Sequence, residues 1–391
     1  MRYPKSLESG GTIGFIAPSF GCAMEPYLSR FENAIKMLKG MGYQIWLGPN
    51  CYEGSGIGIS NTPSACGAEL NEAMTNPELA DVIITCGGGE LMCEVVPYID
   101  FEQIKKSPAK WYMGYSDNTN YTFLSAILAD TAAIYGPCAP AFGRTPWHAS
   151  VEDSLKLLTG EIHEVSGYEM WEHYEEDSTS PDTVDTDTEI PNIVNTGSET
   201  AEDEDDPLAP YNVKEKTVYQ YYLPKKNADQ DKGQDSGFNN NTVSGNDLAD
   251  TVKFEGRLIG GCVDILILLA GTKYDKVNAF LERYKEDGFI WFLESCDLNM
   301  LSIRRAFWQM REAGWFQYVQ GFLIGRPLHY GEDQFGVNQY NAVIDIIGDL
   351  GVPVIMDLDI GHLPPMMPII CGSYAAVEAA GNRIKVDYIF K

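Results

Sequence analysis

The stretch KWYMGYSDNTNYTF, residues 110–123, predicts a buried strand that turns sharply into a helix. Residues 110–113 are typical of the end of a strand, and the polar pair Asp117 and Asn118 is typical of a helix start. The pattern therefore places Ser116 on the corner between the two elements. A serine at such a corner raises the question of what could activate its hydroxyl group.

The corner belongs to an alternation of strands and helices over residues 1–145. Apolar residues at helical spacing in 26–40 and 64–75 alternate with the strand-like runs TIGFIAPS, YQIWLGP, ADVIITCGGG, KWYMGYSD and AAIYGP. Strands that alternate with helices predict a parallel sheet covered on both faces. We therefore expect an α/β domain whose strands end at one shared edge, where such folds bind ligands.

The remaining chain divides into a connection, residues 146–250, and a second patterned block, residues 251–391. Within the connection, residues 175–206 contain 13 Asp or Glu and no Lys or Arg, a composition typical of disorder. This acidic insertion is interpreted as a solvated loop, a lid or a partner-binding arm. The second block combines apolar strands such as GFIWFLES with helices, among them 302–314, and predicts a mixed α/β domain.

Composition limits the class of protein. The 391 residues, 44% apolar and 21% charged, suit a soluble protein of two domains. The net charge of −28 disfavours nucleic acid and anionic membranes as partners. No apolar run approaches the ~20 residues that span a bilayer, and no signal region begins the sequence, so a cytoplasmic location is expected. The nine cysteines are scattered and the five histidines lack ligand spacing, so no metal or other cofactor is expected.

Ser116 is the first candidate for chemistry. The run G-Y-S-D-N is similar to the nucleophile elbow G-x-S-x-G, with Asn118 at the position of the last glycine. The start of the following helix supplies free N–H groups and a positive dipole end, which stabilise an oxyanion formed on an attacked carbonyl group. The alternative is that Ser116 only caps the helix, because serine is a favoured N-cap residue.

The glycine run TCGGGE, residues 85–90, follows another predicted strand. Glycines allow the backbone to approach a ligand closely, so Gly88 or Gly89 could offer a second N–H group to an oxyanion. A left-handed turn without function and a phosphate-binding loop are the alternatives. The dinucleotide fingerprint G-x-G-x-x-G is absent from this run.

A serine nucleophile needs a base, and the base needs an orienting group. Among the histidines, His362 in MDLDIGHLPPMMP directly follows a buried strand, as expected for an active-site loop, although isolated loop histidines are often structural. Glu294, at the end of the strand GFIWFLES, is the candidate orienter. The Glu294 carboxylate could instead cap a helix or form an ion pair with one of two arginines. The alternative residues are Arg304 and Arg305 as ion-pair partners and Asp297, Asp357 and Asp359 as rival orienters.

These motifs resemble the LD-carboxypeptidase family of serine peptidases, which includes murein tetrapeptide carboxypeptidases and microcin C7 self-immunity proteins. The similarity covers most of the chain outside residues 175–250. It depends on the order of GFIAPS, CGGGE, GYSDNT, GRLIGGC, FLES, GFLIGRP and GHLPPMMPIICG. No single one of these motifs is decisive, whereas their order and spacing are specific.

The resemblance implies a Rossmann-like or flavodoxin-like amino-terminal domain that carries the nucleophile and a mixed carboxy-terminal domain that carries the rest of a Ser-Glu-His triad. Ser116 would be the nucleophile, His362 the general base and then acid, and Glu294 the orienter. The oxyanion hole would consist of the N–H groups of Gly89 and Asp117, with Gly88 lining the substrate site. A homodimer is also implied.

The resemblance leaves the substrate open between two classes. One is an L,D-murein tetrapeptide that loses its terminal residue, and the other is an aminoacyl or peptidyl nucleotide. Trp171, in YEMWEHY, resembles a loop aromatic that stacks on a nucleobase, but it could equally pack its loop against the domain. The chain departs from the family at Ser295, where a second acidic residue is common. A non-catalytic module that binds an anion or a peptide is the alternative of another class.

Overall fold

The computed structural model describes residues 1–173, 206–224 and 242–391. Its strands are β1 (Thr12–Ile16), β2 (Gln44–Leu47), β3 (Val82–Thr85), β4 (Trp111–Gly114), β5 (Ala133–Tyr135), β6 (Glu164–Ser166), β7 (Met170–Trp171), β8 (Glu215–Lys216), β9 (Gln220–Tyr222), β10 (Thr242–Ser244), β11 (Val252–Cys262), β12 (Phe289–Glu294), β13 (Val319–Gly325), β14 (Asp333–Gln334), β15 (Val337–Asn338), β16 (Val354–Leu358), β17 (Ile369–Cys371), β18 (Tyr374–Ala380) and β19 (Arg383–Ile389).

The α-helices are α1 (Tyr27–Gly40), α2 (Pro63–Thr75), α3 (Phe101–Lys106), α4 (Thr119–Ala129), α5 (Ala149–Thr159), α6 (Val263–Leu269), α7 (Val277–Arg283), α8 (Met300–Glu312) and α9 (Gln339–Ile347). Short 3₁₀ helices cover Met92–Glu94, Val96–Tyr98, Ser116–Asn118, Ala139–Gly143 and Gly348–Leu350. Within the described ranges, no helix is both long enough and apolar enough to cross a bilayer.

The first sheet is the parallel sheet expected for residues 1–145. Its strand order is β2–β1–β3–β4–β5, the order of flavodoxin-like folds, and β17 joins β5 in antiparallel fashion as a sixth strand. The order reverses between β1 and β3, so the loops that follow these strands diverge and leave a crevice at the carboxyl edge. The Ser116 corner follows β4, directly beside that crevice.

The second sheet has nine strands in the order β10–β9–β16–β13–β12–β11–β18–β19–β6. Its four central strands, β11, β12, β13 and β16, are parallel, and the flanking pairs are antiparallel. All six residues of β12 are buried, as expected for a central strand covered on both faces. The sheet confirms the mixed α/β class that the sequence predicts for this part of the chain.

Several local features differ from the sequence-based expectations. The helix expected at 302–314 begins at Met300, because the side chain of Asn299 accepts a hydrogen bond from the N–H of Ser302 and caps it there. Helices α3 and α7 were not predicted, since both are short. The run VSGYEMWEHY contributes β6 and β7, and most of the acidic insertion lies outside the described residues.

Four strands cross the boundaries that the sequence suggests, and two of them, β9 and β10 from the connection, join the second sheet beside β16. β17, from the carboxy-terminal block, pairs with β5 in the first sheet, with Ile370 opposite Ile134. β6, from the connection, pairs with β19 at the edge of the second sheet. The division into 1–145, 146–250 and 251–391 stays a prediction, and these exchanges show that the sections are joined by backbone pairing.

Candidate active site

The corner at Ser116 is a strained elbow. Ser116 has φ +61°, a left-handed conformation that costs free energy for any residue with a Cβ atom. Ser116 is the first residue of the 3₁₀ helix Ser116–Asn118, whose N-cap is Tyr115, and the N-cap of α4 is Asn118. The simple capping alternative therefore does not hold. Strain at a polar residue on a strand-to-helix turn is typical of a functional position.

Hydrogen bonds on either side fix this elbow. The buried Asp117 carboxylate accepts from the hydroxyl of Ser19 at 2.6 Å and from the N–H of Met92 at 2.9 Å. The Asn118 side chain donates to the carbonyl oxygen of Gly87 at 2.8 Å. Burial raises the pKa of Asp117 to about 6, and these donors oppose that rise. The elbow is thus tied to the loops that follow β1 and β3.

Glu294 and His362 meet although 68 residues separate them. Glu294 is the last residue of β12, and His362 lies in the loop after β16. The Nδ1 atom of His362 and the Oε2 atom of Glu294 are 2.8 Å apart, which fits an imidazole N–H that donates to the carboxylate. Glu294 is 2% exposed. The ion-pair alternative with Arg304 does not hold, because Arg304 pairs with Asp345 at 2.7 Å.

The three rival carboxylates have other surroundings. Asp357 accepts a hydrogen bond from the hydroxyl of Tyr340 at 2.9 Å, and Asp359 pairs with Arg326 at 2.7 Å. Asp297 is exposed. Glu294 is therefore the carboxylate that contacts the His362 ring through a hydrogen bond.

Tyr135 connects the serine to the glutamate, and this link was not predicted from the sequence. The backbone N–H of Ser116 donates to the Tyr135 hydroxyl at 3.1 Å, and this hydroxyl donates to Oε1 of Glu294. The three predicted triad residues therefore lie on one hydrogen-bonded chain. Tyr135 ends β5, the neighbour of β4, so its position at the same sheet edge was the available signal.

Two glycines make room for Glu294. Gly361 has φ +115°, and a Cβ atom there would lie 2.5 Å from Oε2 of Glu294. At Gly325, a Cβ atom would overlap the carbonyl oxygen of Ile360. Both positions therefore require glycine for the His362 loop to approach the end of β12 this closely.

The surroundings of His362 favour its protonated form. Burial alone would lower its pKa, but the Cys296 sulfur and the Glu294 carboxylate beside the ring raise the pKa well above the ordinary value. The Tyr115 ring lies 5.1 Å from the imidazole, centroid to centroid. The Nε2 atom is buried and has no hydrogen-bond partner in the described part of the chain. Nε2 is therefore the ring nitrogen that remains for proton exchange with a reacting group.

The glycine loop after β3 lies against the elbow. A Cβ atom at Gly88 would be 3.0 Å from the Cβ atom of Ser116, so Gly88 directly adjoins the nucleophile position. Gly89 packs against the Ser19 hydroxyl so closely that a side chain would overlap it. Burial, together with the charges of Asp297 and Asp117, raises the pKa of Glu90 to about 7. The roles of the Gly89 and Asp117 N–H groups stay predictions.

Trp171 is buried and packs against neighbouring side chains. The side chain is 6% exposed, the Arg326 guanidinium lies 4.6 Å from its ring centroid, and the Tyr330 ring lies at 5.0 Å. This placement matches the packing alternative for Trp171. A contact between this ring and a substrate stays a prediction.

No group of three or more His, Cys, Asp or Glu residues in the described ranges is arranged to hold a metal ion. The site as described consists of a serine elbow, an imidazole with one open nitrogen, a buried carboxylate and nearby backbone N–H groups. Such a set can carry out acyl transfer by nucleophilic attack on a carbonyl group.

Comparison with known families agrees with this geometry. The profile of the LD-carboxypeptidase N-terminal domain matches residues 13–136, and that of the LD-carboxypeptidase C-terminal domain matches residues 255–377. A Vibrio cholerae protein named as a carboxypeptidase is 24% identical over 99% of this chain and 98% of its own length. A Bacillus subtilis protein named as a murein peptide carboxypeptidase is 33% identical, over 40% of this chain and 47% of its own.

Solved structures share the fold along the whole chain. The microcin C7 self-immunity protein MccF superposes with a TM-score of 0.72 at 19% identity, covering 100% of this chain and 99% of its own. An MccF-like protein from Bacillus anthracis gives a TM-score of 0.70 at 20% identity and covers 100% of both chains. MccF has also been solved with glutamyl sulfamoyl guanosine, at a TM-score of 0.71, 19% identity and coverage of 99% of this chain and 98% of its own.

Proposed function

The chain belongs to the LD-carboxypeptidase family, and we propose that it is a serine-type carboxypeptidase that works through an acyl-enzyme. Its substrate is an amide whose leaving group is a C-terminal residue, such as that of an L,D-murein tetrapeptide. The observation that carries this proposal is the strained Ser116 elbow joined through Tyr135 to the hydrogen-bonded Glu294–His362 pair.

In the first half-reaction, Oγ of Ser116 attacks the scissile carbonyl carbon while Nε2 of His362 takes the hydroxyl proton. Glu294 accepts the Nδ1–H bond, which holds the neutral ring in the tautomer with its proton on Nδ1 and stabilises the imidazolium that forms. The N–H groups of Gly89 and Asp117 stabilise the oxyanion. The C–N bond then breaks, and the leaving amine takes the proton from His362.

In the second half-reaction, water takes the place of the amine. His362 removes a proton from this water as it attacks the acyl carbon, and the proton then returns to Oγ of Ser116 as the ester bond breaks. The free carboxylate product leaves, and the site returns to its starting state. No cofactor takes part in this sequence.

Aminoacyl or peptidyl nucleotides are the second candidate class. Glutamyl sulfamoyl guanosine and aspartyl sulfamoyl adenosine bind to MccF, which shares this fold. The burial of Trp171 gives no support to base stacking by that residue, so the murein-type peptide remains the first candidate. The proposal also includes a cytoplasmic location, which is an expectation from the sequence, and a homodimer, which depends on the family resemblance alone.

The test is covalent labelling with a serine-directed phosphonate, followed by peptide mapping. We expect one label, on Ser116, in the wild-type protein and none in Ser116→Ala, whose kcat should fall by about 10⁴- to 10⁶-fold. A murein tetrapeptide and an aminoacyl sulfamoyl adenosine are then offered separately to decide the substrate class. Absence of labelling, with ligand affinity unchanged in Ser116→Ala, would instead support the non-catalytic binding module.

A further inference from the structure

A buried ion pair between Arg326 and Asp359 takes no part in the steps above. Asp359 lies three residues before His362 in the same loop. Asp359 is 0% exposed and Arg326 is 2% exposed, and Nη1 of Arg326 donates to Oδ1 of Asp359 at 2.7 Å. Burying two charges is costly, so such a pair is weak evidence of a role in stability alone. Its place in the His362 loop suggests a role in conformation.

The same pair binds both segments that flank the acidic insertion. On the near side, the N–H of Tyr168 donates to Oδ2 of Asp359 at 2.8 Å. On the far side, the Tyr219 hydroxyl donates to the same oxygen at 3.3 Å, and Nη2 of Arg326 donates to the Thr217 hydroxyl at 3.2 Å. The Arg326 guanidinium also lies over the Trp171 ring. Residues 168–172 and 217–219 therefore meet on one ion pair.

The His362 loop is held after the histidine as well as before it. The N–H of Glu172 donates to the carbonyl oxygen of Pro364 at 2.7 Å, two residues beyond His362. The N–H of Met367 donates to the carbonyl oxygen of Asp359 at 2.6 Å and closes the loop on itself. The backbone that carries His362 is thus fixed at Asp359 and at Pro364 by the segments that flank the insertion.

We propose that Arg326 and Asp359 are positioning residues that fix the His362 loop against residues 168–172 and 217–219. Glu294 is hydrogen-bonded to Nδ1 of the imidazole, so the direction in which Nε2 points also depends on the backbone of this loop. The inference rests on the proposed function in one respect, the use of His362 as the base. It adds a connection between residues 168–172 and 217–219, which flank the acidic insertion, and His362.

Arg326→Lys is the first test, because it keeps the charge and removes the planar fork that reaches Asp359 and Thr217 together. We expect kcat to fall by about ten- to a hundredfold with KM within about twofold, since small displacements of a reacting group have effects of this size. Proton NMR should show the His362 Nδ1–H resonance, identified by its loss in His362→Gln, shifted or broadened. A variant that is only less heat-stable, with unchanged kcat and an unchanged resonance, would overturn the proposal.

A milder pair of variants covers the case in which Arg326→Lys does not fold. Tyr219→Phe removes the hydroxyl that donates to Asp359, whereas Tyr221→Phe removes the hydroxyl of another buried tyrosine, which donates to the carbonyl oxygen of Gly381 at 2.7 Å. We expect a several-fold fall in kcat and a moved His362 resonance for Tyr219→Phe only. Equal behaviour of the two variants contradicts the proposal.

The failure of the proposed function would look different from the failure of this inference. A wild-type protein that neither hydrolyses the test substrates nor reacts with the phosphonate would remove the peptidase. The NMR comparison needs no turnover, so it would still decide whether Arg326 and Tyr219 set the position of the imidazole. An unmoved resonance in both variants would remove the positioning role, whatever the enzyme does.

Discussion

In the proposed mechanism His362 must be neutral to accept a proton from Ser116, yet its surroundings favour the cation. The Cys296 sulfur and the Glu294 carboxylate raise its pKa well above the ordinary value despite burial. The neutral fraction at a given pH is therefore smaller than for a free histidine, while the imidazolium formed during attack is more stable. This balance favours the transition state at the expense of activity at low pH.

The pH profile of the wild-type protein should show this effect. We expect kcat/KM to rise with pH through an apparent pKa above the ~6.5 of an unperturbed histidine, because the free enzyme is active only with His362 deprotonated. Glu294→Gln removes one of the two groups that raise this pKa, so the rising limb should move to lower pH. That variant should also lose about 10⁴-fold in kcat, because the amide no longer enforces the Nδ1–H tautomer. The measurement is kcat/KM between pH 5 and 10 for both proteins.

Asp357→Asn is the matched control for that profile. Asp357 is also a buried carboxyl group, and burial raises its pKa to about 6, but it bonds to Tyr340 and lies five residues before His362. Its φ of +65° suits asparagine as well as aspartate. If the rising limb moves as far in Asp357→Asn as in Glu294→Gln, the limb does not report the Glu294–His362 pair.

At the level of the element, the loop after β16 can bring His362 to Glu294 because no side chain lies between this loop and the end of β12. Gly361 is the closest point, with a positive φ and no room for a Cβ atom next to Glu294. The loop is also held by Asp359 and Pro364, so it cannot easily move aside. A side chain at 361 should therefore act on the geometry of the site directly.

Gly361→Ala tests this. We expect a loss of about 1–3 kcal/mol in the free energy of unfolding from backbone strain. We also expect a fall of about ten- to a hundredfold in kcat, because the methyl group would overlap the Glu294 carboxylate and disturb its hydrogen bond to His362. Gly351→Ala is the control, since Gly351 has φ +71° but a Cβ atom added there would meet nothing within 4 Å. It should lose similar stability and keep kcat; a similar fall in kcat for both would assign the effect to general strain.

The elements also show what the sequence could and could not predict. The strands β1, β3, β4 and β12 are uninterrupted apolar runs, and the candidates Ser116, Glu294 and His362 lie where such runs end. Local patterns carry that information. They do not carry the pairing of β17 with β5, because a short apolar segment near the carboxyl end has no local signal for its partner. The Tyr135 link, the Arg326–Asp359 pair and the positive φ of Ser116 arise from non-local packing and were missed for that reason.

At the scale of the whole molecule, both sheets contribute residues to the candidate site, and one strand from the carboxy-terminal block pairs with the first sheet. β17 comes after all of the parallel strands of the second sheet and pairs with the edge of the first. The proposed triad is likewise divided, with Ser116 after β4, Glu294 at the end of β12 and His362 after β16. A site assembled in this way stays intact only while both sheets are formed, so we infer that they fold as one cooperative unit.

Hydrogen exchange followed by mass spectrometry over increasing denaturant tests that inference. Peptides covering Trp111–Gly114 in the first sheet and Phe289–Glu294 in the second should lose protection at the same midpoint. Ile370→Ala in β17, a residue that is 1% exposed, should cost about 2–5 kcal/mol and lower both midpoints together. If the change lowers only the midpoint of the first sheet, the sheets unfold independently. The pairing of β17 with β5 would then stabilise the first sheet alone and would not hold the residues of the proposed triad together.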